Sequence, residues 1–326
     1  MRSESVHVVI VNYRTPEMVL QCLASLAAER EQVPGLRVSV VDNDSGDGSI
    51  ARMHQGIEEL DASAWAEVRD HGRNPGFGAG NNLVLRETLA AEDVADFFLI
   101  LNPDTEVRPG ALSTLLAWCA EHPEAAIVGP RTESTAGTPD RTAFRFPGFL
   151  NALSDGLRFG PVDRLLTRWV TAPPPRAEAH PSDWVSGGCM FIRSEVLQQV
   201  GIFDETFFLY FEEIDLCHRA LRHGHRTWYL PEAVIMHWAG ASTGIATEGR
   251  GRKRMPGWWF ASRRHYLRNF HNPLYVLACD LAFVTTRSLW QLRAWITRIP
   301  PTDPPHFLWD FLRYNLFGQR WDRRES

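Results

Sequence analysis

The stretch VHVVIVN (Val6–Asn12) decides how the rest of the chain is read. Its aliphatic residues run almost without a break, so it reads as a strand buried on both faces rather than one with a wet side. NYRTPE follows, and Pro16 to Glu29 then reads as a helix with proline at its start, where the missing N–H costs nothing. LRVSVVD (Leu36–Asp42) is a second strand, AEVRD (Ala66–Asp70) a short third and ADFFLIL (Ala95–Leu101) a fourth, with helices predicted over Ala79–Ala91 and Pro109–Glu121. Strands alternating with helices imply an α/β chain with a mainly parallel central sheet flanked by helices. Ligands of such sheets bind beyond the carboxyl ends of the strands.

Those ends are polar. The first strand runs into NYRTPE, the second into DNDSGDGS and the fourth into NPDTEV. The third precedes NPGFGAGNN (Asn74–Asn82), whose three glycines invite comparison with phosphate loops. A dinucleotide fingerprint needs G-x-G-x-x-G directly after the first strand, and a P-loop needs G-x-x-x-x-G-K-[ST]. Neither pattern is present. The remaining readings are a tight strand-to-helix turn, or a close approach of backbone to a ligand.

Four further features carry chemistry, each with a plainer reading beside it. Asp42 ends a buried strand, where its carboxylate could accept from a pyrimidine N–H or a ribose hydroxyl, or close an Asx turn. Asp104 in LNPDT suits a hard divalent cation, or a capped turn. FEEID (Phe211–Asp215) opens a helix whose three acids satisfy the helix dipole. The aromatic FFLYF before it could also raise a carboxylate pKa into the range of a general base. His237, in MHW, is by itself an ordinary structural histidine.

The composition is that of a folded protein, 44% hydrophobic and 22% charged. No charged leader or cleavage site precedes Val6, which implies a cytoplasmic protein. The five cysteines (Cys22, Cys119, Cys189, Cys217, Cys279) lack CxxC spacing and read as buried thiols. Regularity loosens from Arg131 to Pro181, a stretch read as a partly helical insertion (131–182). Residues 249–326 hold 14 of the 34 Lys and Arg, only 5 of the 39 Asp and Glu, and six of the 12 tryptophans. This basic, Trp-rich region reads as a helical extension. Asp280, Arg287 and Arg293 make its longest apolar run too polar to span a membrane. It would either lie in a membrane interface, or pack on the core or make a dimer. No nucleic-acid-binding motif accompanies the basic charge.

Taken in order, VIVNYRTPEMVLQCLASL, VVDNDSGDGS, NPGFGAGNN, LILNPDTEV, WVSGGCMFIR and the stretch from FDETFFLYFEEIDLCHRALRHGH to IMHWAGAST resemble the inverting family-2 glycosyltransferases of the GT-A fold. The resemblance runs from Val6 to about Gly244, implying a glycosyltransferase domain over residues 1–248, and its flavour is similar to rhamnosyltransferases that use dTDP-rhamnose. It implies a donor pocket of Asn12, Thr15, Glu17, Asp42, Asn74, Gly76, Gly80, Asn81 and Asn102, for a dTDP- or UDP-sugar. It implies Mg²⁺ or Mn²⁺ at Asp104 and His237, although Asn102 replaces the first acid of the family's metal motif. Glu213 matches the catalytic base, Glu212 is the second candidate, and Asp215 would orient the base or the acceptor. Trp184, Gly187 and Gly188 would border a glycan or lipid-linked acceptor. The rival readings are a nucleotidyltransferase, for which NYRTPE is the wrong loop, and an inactive carbohydrate-binding relative.

Overall fold

The computed structural model describes residues 4–157, 167–238, 253–299 and 303–321. The first strand, β1 (Val6–Asn12), is buried along its whole length. It lies between β2 (Leu36–Asp42) and β4 (Phe97–Leu101), parallel to both. β3 (Ala66–Asp70) adds to the far side of β2. Beyond β4 come β10 (Cys189–Arg193), β6 (Ala125–Glu133), β11 (Arg226–His237) and β5 (Thr105–Val107), giving the order β3-β2-β1-β4-β10-β6-β11-β5. β10 is antiparallel to its neighbours, whereas β6 and β11 run parallel to each other. The fold is therefore α/β with a mostly parallel central sheet. The order reverses at β1, which has β2 on one side and β4 on the other. Such a switch point opens a crevice at the carboxyl ends of the two strands, beside Asn12 and Asn102.

The alternation of β1 divides the core. Val6, Val8 and Ile10 pack with α1 (Pro16–Glu29), α2 (Ser49–Glu59) and α4 (Ala111–Glu121) on one face. Val9 packs on the other with α3 (Phe77–Ala90), α6 (Ser194–Val200), α7 (Glu212–Arg222) and α8 (Gly257–Phe270). Most predicted boundaries stand. The exceptions begin at glycines: α3 starts after Gly76 (φ 104°) and α4 after Gly110 (φ 82°), conformations that end the preceding loop and set the helix start. β4 begins at Phe97 rather than Ala95.

The stretch read as an insertion is partly sheet. Residues 131–133 complete β6, and β8 (His180–Ser182) pairs with β11. The excursion between them carries β7 (Ala143–Phe144), paired with β9 (Trp184–Val185), and α5 (Phe149–Leu157). The C-terminal helices pack on this body. α8 reaches the second core through Tyr266 and Leu267. α9 (Pro273–Thr297) lies on α5, where a methyl on Gly156 would meet Thr286 Oγ1 at 1.9 Å. α10 (Phe307–Phe311) closes a small cluster of Phe260, Phe307 and Phe311. All five cysteines are buried and free.

Candidate active site

The ends of β1 and β2 form one hydrogen-bonded unit, because parallel register sets Asn12 beside Asp42. Asn12 Nδ2 donates to Asp42 Oδ1 at 2.6 Å and to Ser45 Oγ at 3.2 Å. Ser45 donates to Asp42 through both N–H (2.9 Å) and hydroxyl (2.6 Å), and Asn12 Oδ1 accepts from Thr15 N–H and Oγ1. Asp42 is thus an Asx-turn acceptor, 1% exposed. Glu17 points away from this network and pairs with Arg52 on the surface. Two residues that the sequence did not single out flank the network. Arg14 and Asp44 are exposed and both hold positive φ (59° and 56°), a strained backbone typical of loops shaped around ligands. Arg14 is fixed there by its bonds to the Ser45 hydroxyl and carbonyl.

At the end of β4, the Asn-Pro-Asp turn is pinned to the last residues of β11. Thr105 faces His237 in antiparallel register, and Trp238 N–H donates to Asp104 C=O. Asp104 Oδ1 lies 3.4 Å from His237 Nε2, with the carboxylate buried and the imidazole partly open. A cation bonded at about 2.1 Å to each could bridge that gap. Among the described residues no group of three or more His, Cys, Asp or Glu is arranged to hold a metal. The described residues therefore offer the Asp104 carboxylate and the His237 imidazole, a set that fits Mg²⁺ or Mn²⁺ only when phosphate and water supply the rest. Asp140 also faces His237. Its Oδ2 is buried with no hydrogen-bond partner among the described residues, and burial raises its pKa against the opposing pull of His237. Nothing in its surrounding sequence marked it.

NPGFGAGNN forms the N-terminus of α3 and is packed tightly. A Cβ on Gly76 would stand 2.0 Å from the carbonyl oxygen of Phe208, which also accepts from Phe77 N–H. One on Gly80 would meet Asn43 Oδ1 at 2.9 Å. Asn74 Oδ1 caps Gly76 N–H, Asn81 donates to Phe77 C=O, and Asn82 is bonded to Phe203 and Glu205. The loop binds the aromatic segment 203–211 to the sheet; Asn74 and Asn82 are engaged within the protein, whereas Asn81 Oδ1 is buried with no hydrogen-bond partner among the described residues.

That segment ends in a strained turn. Tyr210 and Phe211 hold φ of 65° and 75° in succession, which costs of order 1 kcal/mol each for residues with a Cβ. The turn delivers Glu212 and Glu213 into the first turn of α7, 2% and 8% exposed. Each has an Oε2 that is buried without a hydrogen-bond partner among the described residues. Gly78 packs on Glu212, and a methyl on Gly187 would lie 3.5 Å from Glu213 Cβ, while one on Gly188 would lie 3.2 Å from Asn102 Nδ2. The Gly187–Gly188 turn therefore links Glu213 to Asn102 at the end of β4, while Glu212 lies against Gly78 of α3. Burial pushes Glu213 up to about 7. Burial, and then the charge of Glu213, hold Glu212 well above the ordinary carboxylate range.

Two other candidates are differently employed. Asp215, 2% exposed, accepts from Arg219 Nε at 2.7 Å and Asn269 Nδ2 at 3.3 Å, so it ties α7 to α8. Trp184 is 9% exposed, stacks on Phe144 with centroids 4.2 Å apart and donates its indole N–H to Arg145 C=O. Its face and its polar atom are both used within the fold.

Comparison with known proteins is consistent throughout. Residues 3–270 match the family model described as glycosyltransferase like family 2. The N-acetylglucosaminyl-diphospho-decaprenol L-rhamnosyltransferase of Mycobacterium tuberculosis is 29% identical over 281 residues, covering 80% of this chain and 88% of the relative. The rhamnosyltransferase WbbL of Escherichia coli is 24% identical, covering 72% and 83%. The mannosyltransferase PcManGT of Pyrobaculum calidifontis, solved with GDP-Man and Mn²⁺, superposes with a TM-score of 0.55 over 92% of this chain and 77% of its own, at 15% identity. GalNAc-T7, solved with UDP, GalNAc and Mn²⁺, gives 0.55 over 95% and 58% at 12% identity.

Proposed function

The chain belongs to glycosyltransferase family 2, and from that premise we propose that it is an inverting rhamnosyltransferase that moves rhamnose from dTDP-rhamnose to a hydroxyl of a lipid-linked saccharide at the inner face of the cytoplasmic membrane. The observation that carries the chemistry is buried Glu213, beside Glu212 in the first turn of α7 and set by the Gly187–Gly188 turn against the end of β4. The rhamnosyl donor and lipid-linked acceptor are supported by the relatives that bear those names.

The donor lies along the carboxyl ends of β1, β2 and β4. Asn12 and Asp42 shape the base-binding end, and Arg14 and Asp44 stand at its open rim. Asp104 and His237 are the residues that would hold a divalent cation, which when bound neutralises the charge building on the departing diphosphate. Mn²⁺ in the solved neighbours supports such an ion in general. Glu213, the more accessible of the two glutamates and the one raised only to about 7, takes the proton from the acceptor hydroxyl as it attacks. Glu212, buried deeper, keeps its proton and so withholds a second negative charge from the site. One displacement with one base inverts the anomeric carbon without a covalent intermediate.

Thermal stabilisation across dTDP-, UDP- and GDP-sugars with Mg²⁺ or Mn²⁺ tests the donor. The reading expects dTDP-rhamnose to raise the midpoint most; selective stabilisation by a GDP-sugar would overturn it.

A further inference from the structure

The long helix α9 is turned inside out. Two of its three charged residues face the protein, Arg293 being half-buried: Asp280 is bonded to Arg263 at 2.6 Å and Arg287 to Asp303, with all four side chains at most 11% exposed. Its outward face is mostly apolar. Leu274 (79% exposed), Leu277 and Leu281, then Leu289, Leu292, Trp295 (78%) and Ile296, lie along one side with exposed Thr285 and Ser288 between the two groups, and Ile299 follows just past the helix end. At 1.5 Å per residue, that stripe is about 37 Å long. Trp309 and Phe317, from the segment that follows, are also exposed. A face this long and apolar in water marks a surface with an occupant.

The charge around it says which occupant. The three carboxylates of the described stretch 253–321 are Asp280, Asp303 and Asp310, each paired with an arginine and at most 9% exposed. No acid of this stretch is left to face outward, whereas Arg298, Lys253, Arg268 and Arg320 are exposed cations. Arg298, the C-cap of α9, puts one of these cations at the end of the apolar face itself, and a second copy of that face would offer it no free acid among the described residues of this stretch. A bilayer carrying anionic lipid satisfies both features at once, accepting leucines among its acyl chains and arginines at its headgroups. No helix of the described residues is long and apolar enough to cross a membrane, so α9 would lie in the plane of the interface. We propose that the outer face of α9 docks this protein on anionic membrane, with Trp295 at headgroup depth. This extends the lipid-linked acceptor of the proposed function, yet it rests on the surface alone.

The test is flotation of the full chain with vesicles, without any sugar nucleotide, so that an error in the donor or acceptor cannot affect it. Vesicles of phosphatidylcholine with phosphatidylglycerol should carry the protein, with at least about tenfold less bound to phosphatidylcholine alone or at high salt. Leu281→Gln/Leu289→Gln/Leu292→Gln should lose about tenfold of that binding at an unchanged thermal midpoint. If the triple variant does not fold, Trp295→Gln decides, since that side chain packs on little; it should bind more weakly. Binding by these variants equal to wild type, or no binding of wild type to anionic vesicles, overturns the proposal. So does a lipid-free dimer that the same substitutions convert to monomer.

Discussion

Glu212 and Glu213 are neighbours in sequence but not equivalent in structure. The deeper one holds its proton more tightly, and the other titrates near neutrality. The rate should therefore rise with pH through about 7, as an acid limb in kcat/KM that Glu213→Gln abolishes along with activity. Stability should run the opposite way. A folded-state pKa raised above the unfolded value means that the native chain holds the extra proton, so stability present at low pH is lost as pH rises through about 7. Glu213→Gln should consequently be more stable than wild type at pH 8, by about 3 kcal/mol, and nearly equal below pH 4.5 in denaturant melts. FEEID announced acids at a helix start, but not which of them is buried deeper. That depends on Gly78 and Gly187, distant residues that meet them only in the fold. Asp42 shows the same limit: both its readings were open until Asn12 and Ser45 were seen to occupy it.

Elements were more legible than contacts. A fully buried strand has no polar face to blur its pattern, and β1, β2 and α1 begin and end where the sequence put them. The glycines of NPGFGAGNN were read as turn-formers beside a ligand. What they permit is the close approach of two protein segments, which local sequence cannot express. Gly76→Ala tests this. With φ at 104° and the Phe208 carbonyl in the way, the substitution should lower stability by about 2–4 kcal/mol, measured by chemical denaturation. It should also weaken catalysis, because the same segment carries the turn before Glu212. A Gly76→Ala protein as stable as wild type would show that the loop is not held this way.

At the scale of the molecule, the C-terminal region supports the turn that precedes Glu212. Trp258 contacts Tyr210, Trp259 contacts Phe211, and Ser262 donates to Leu209 C=O, so α8 braces the two residues at positive φ. A chain ending at residue 252 keeps every strand-end residue named here. It should nonetheless lose donor turnover and melt at lower temperature or without cooperativity; turnover at the full-length rate would separate α8 from the site. The sequence placed a helical region here but could not say which of its charges face inward, because Arg263, Asp303 and Arg287 find their partners through the fold. The central claim is that Glu213 deprotonates the acceptor in a single displacement. It is tested most directly by the rate at which labelled rhamnose passes from dTDP-rhamnose into extractable lipid-linked saccharide, wild type against Glu213→Gln. The account predicts a loss of about 10²–10⁴-fold with donor-induced thermal stabilisation retained. Transfer by Glu213→Gln at the wild-type rate would contradict it.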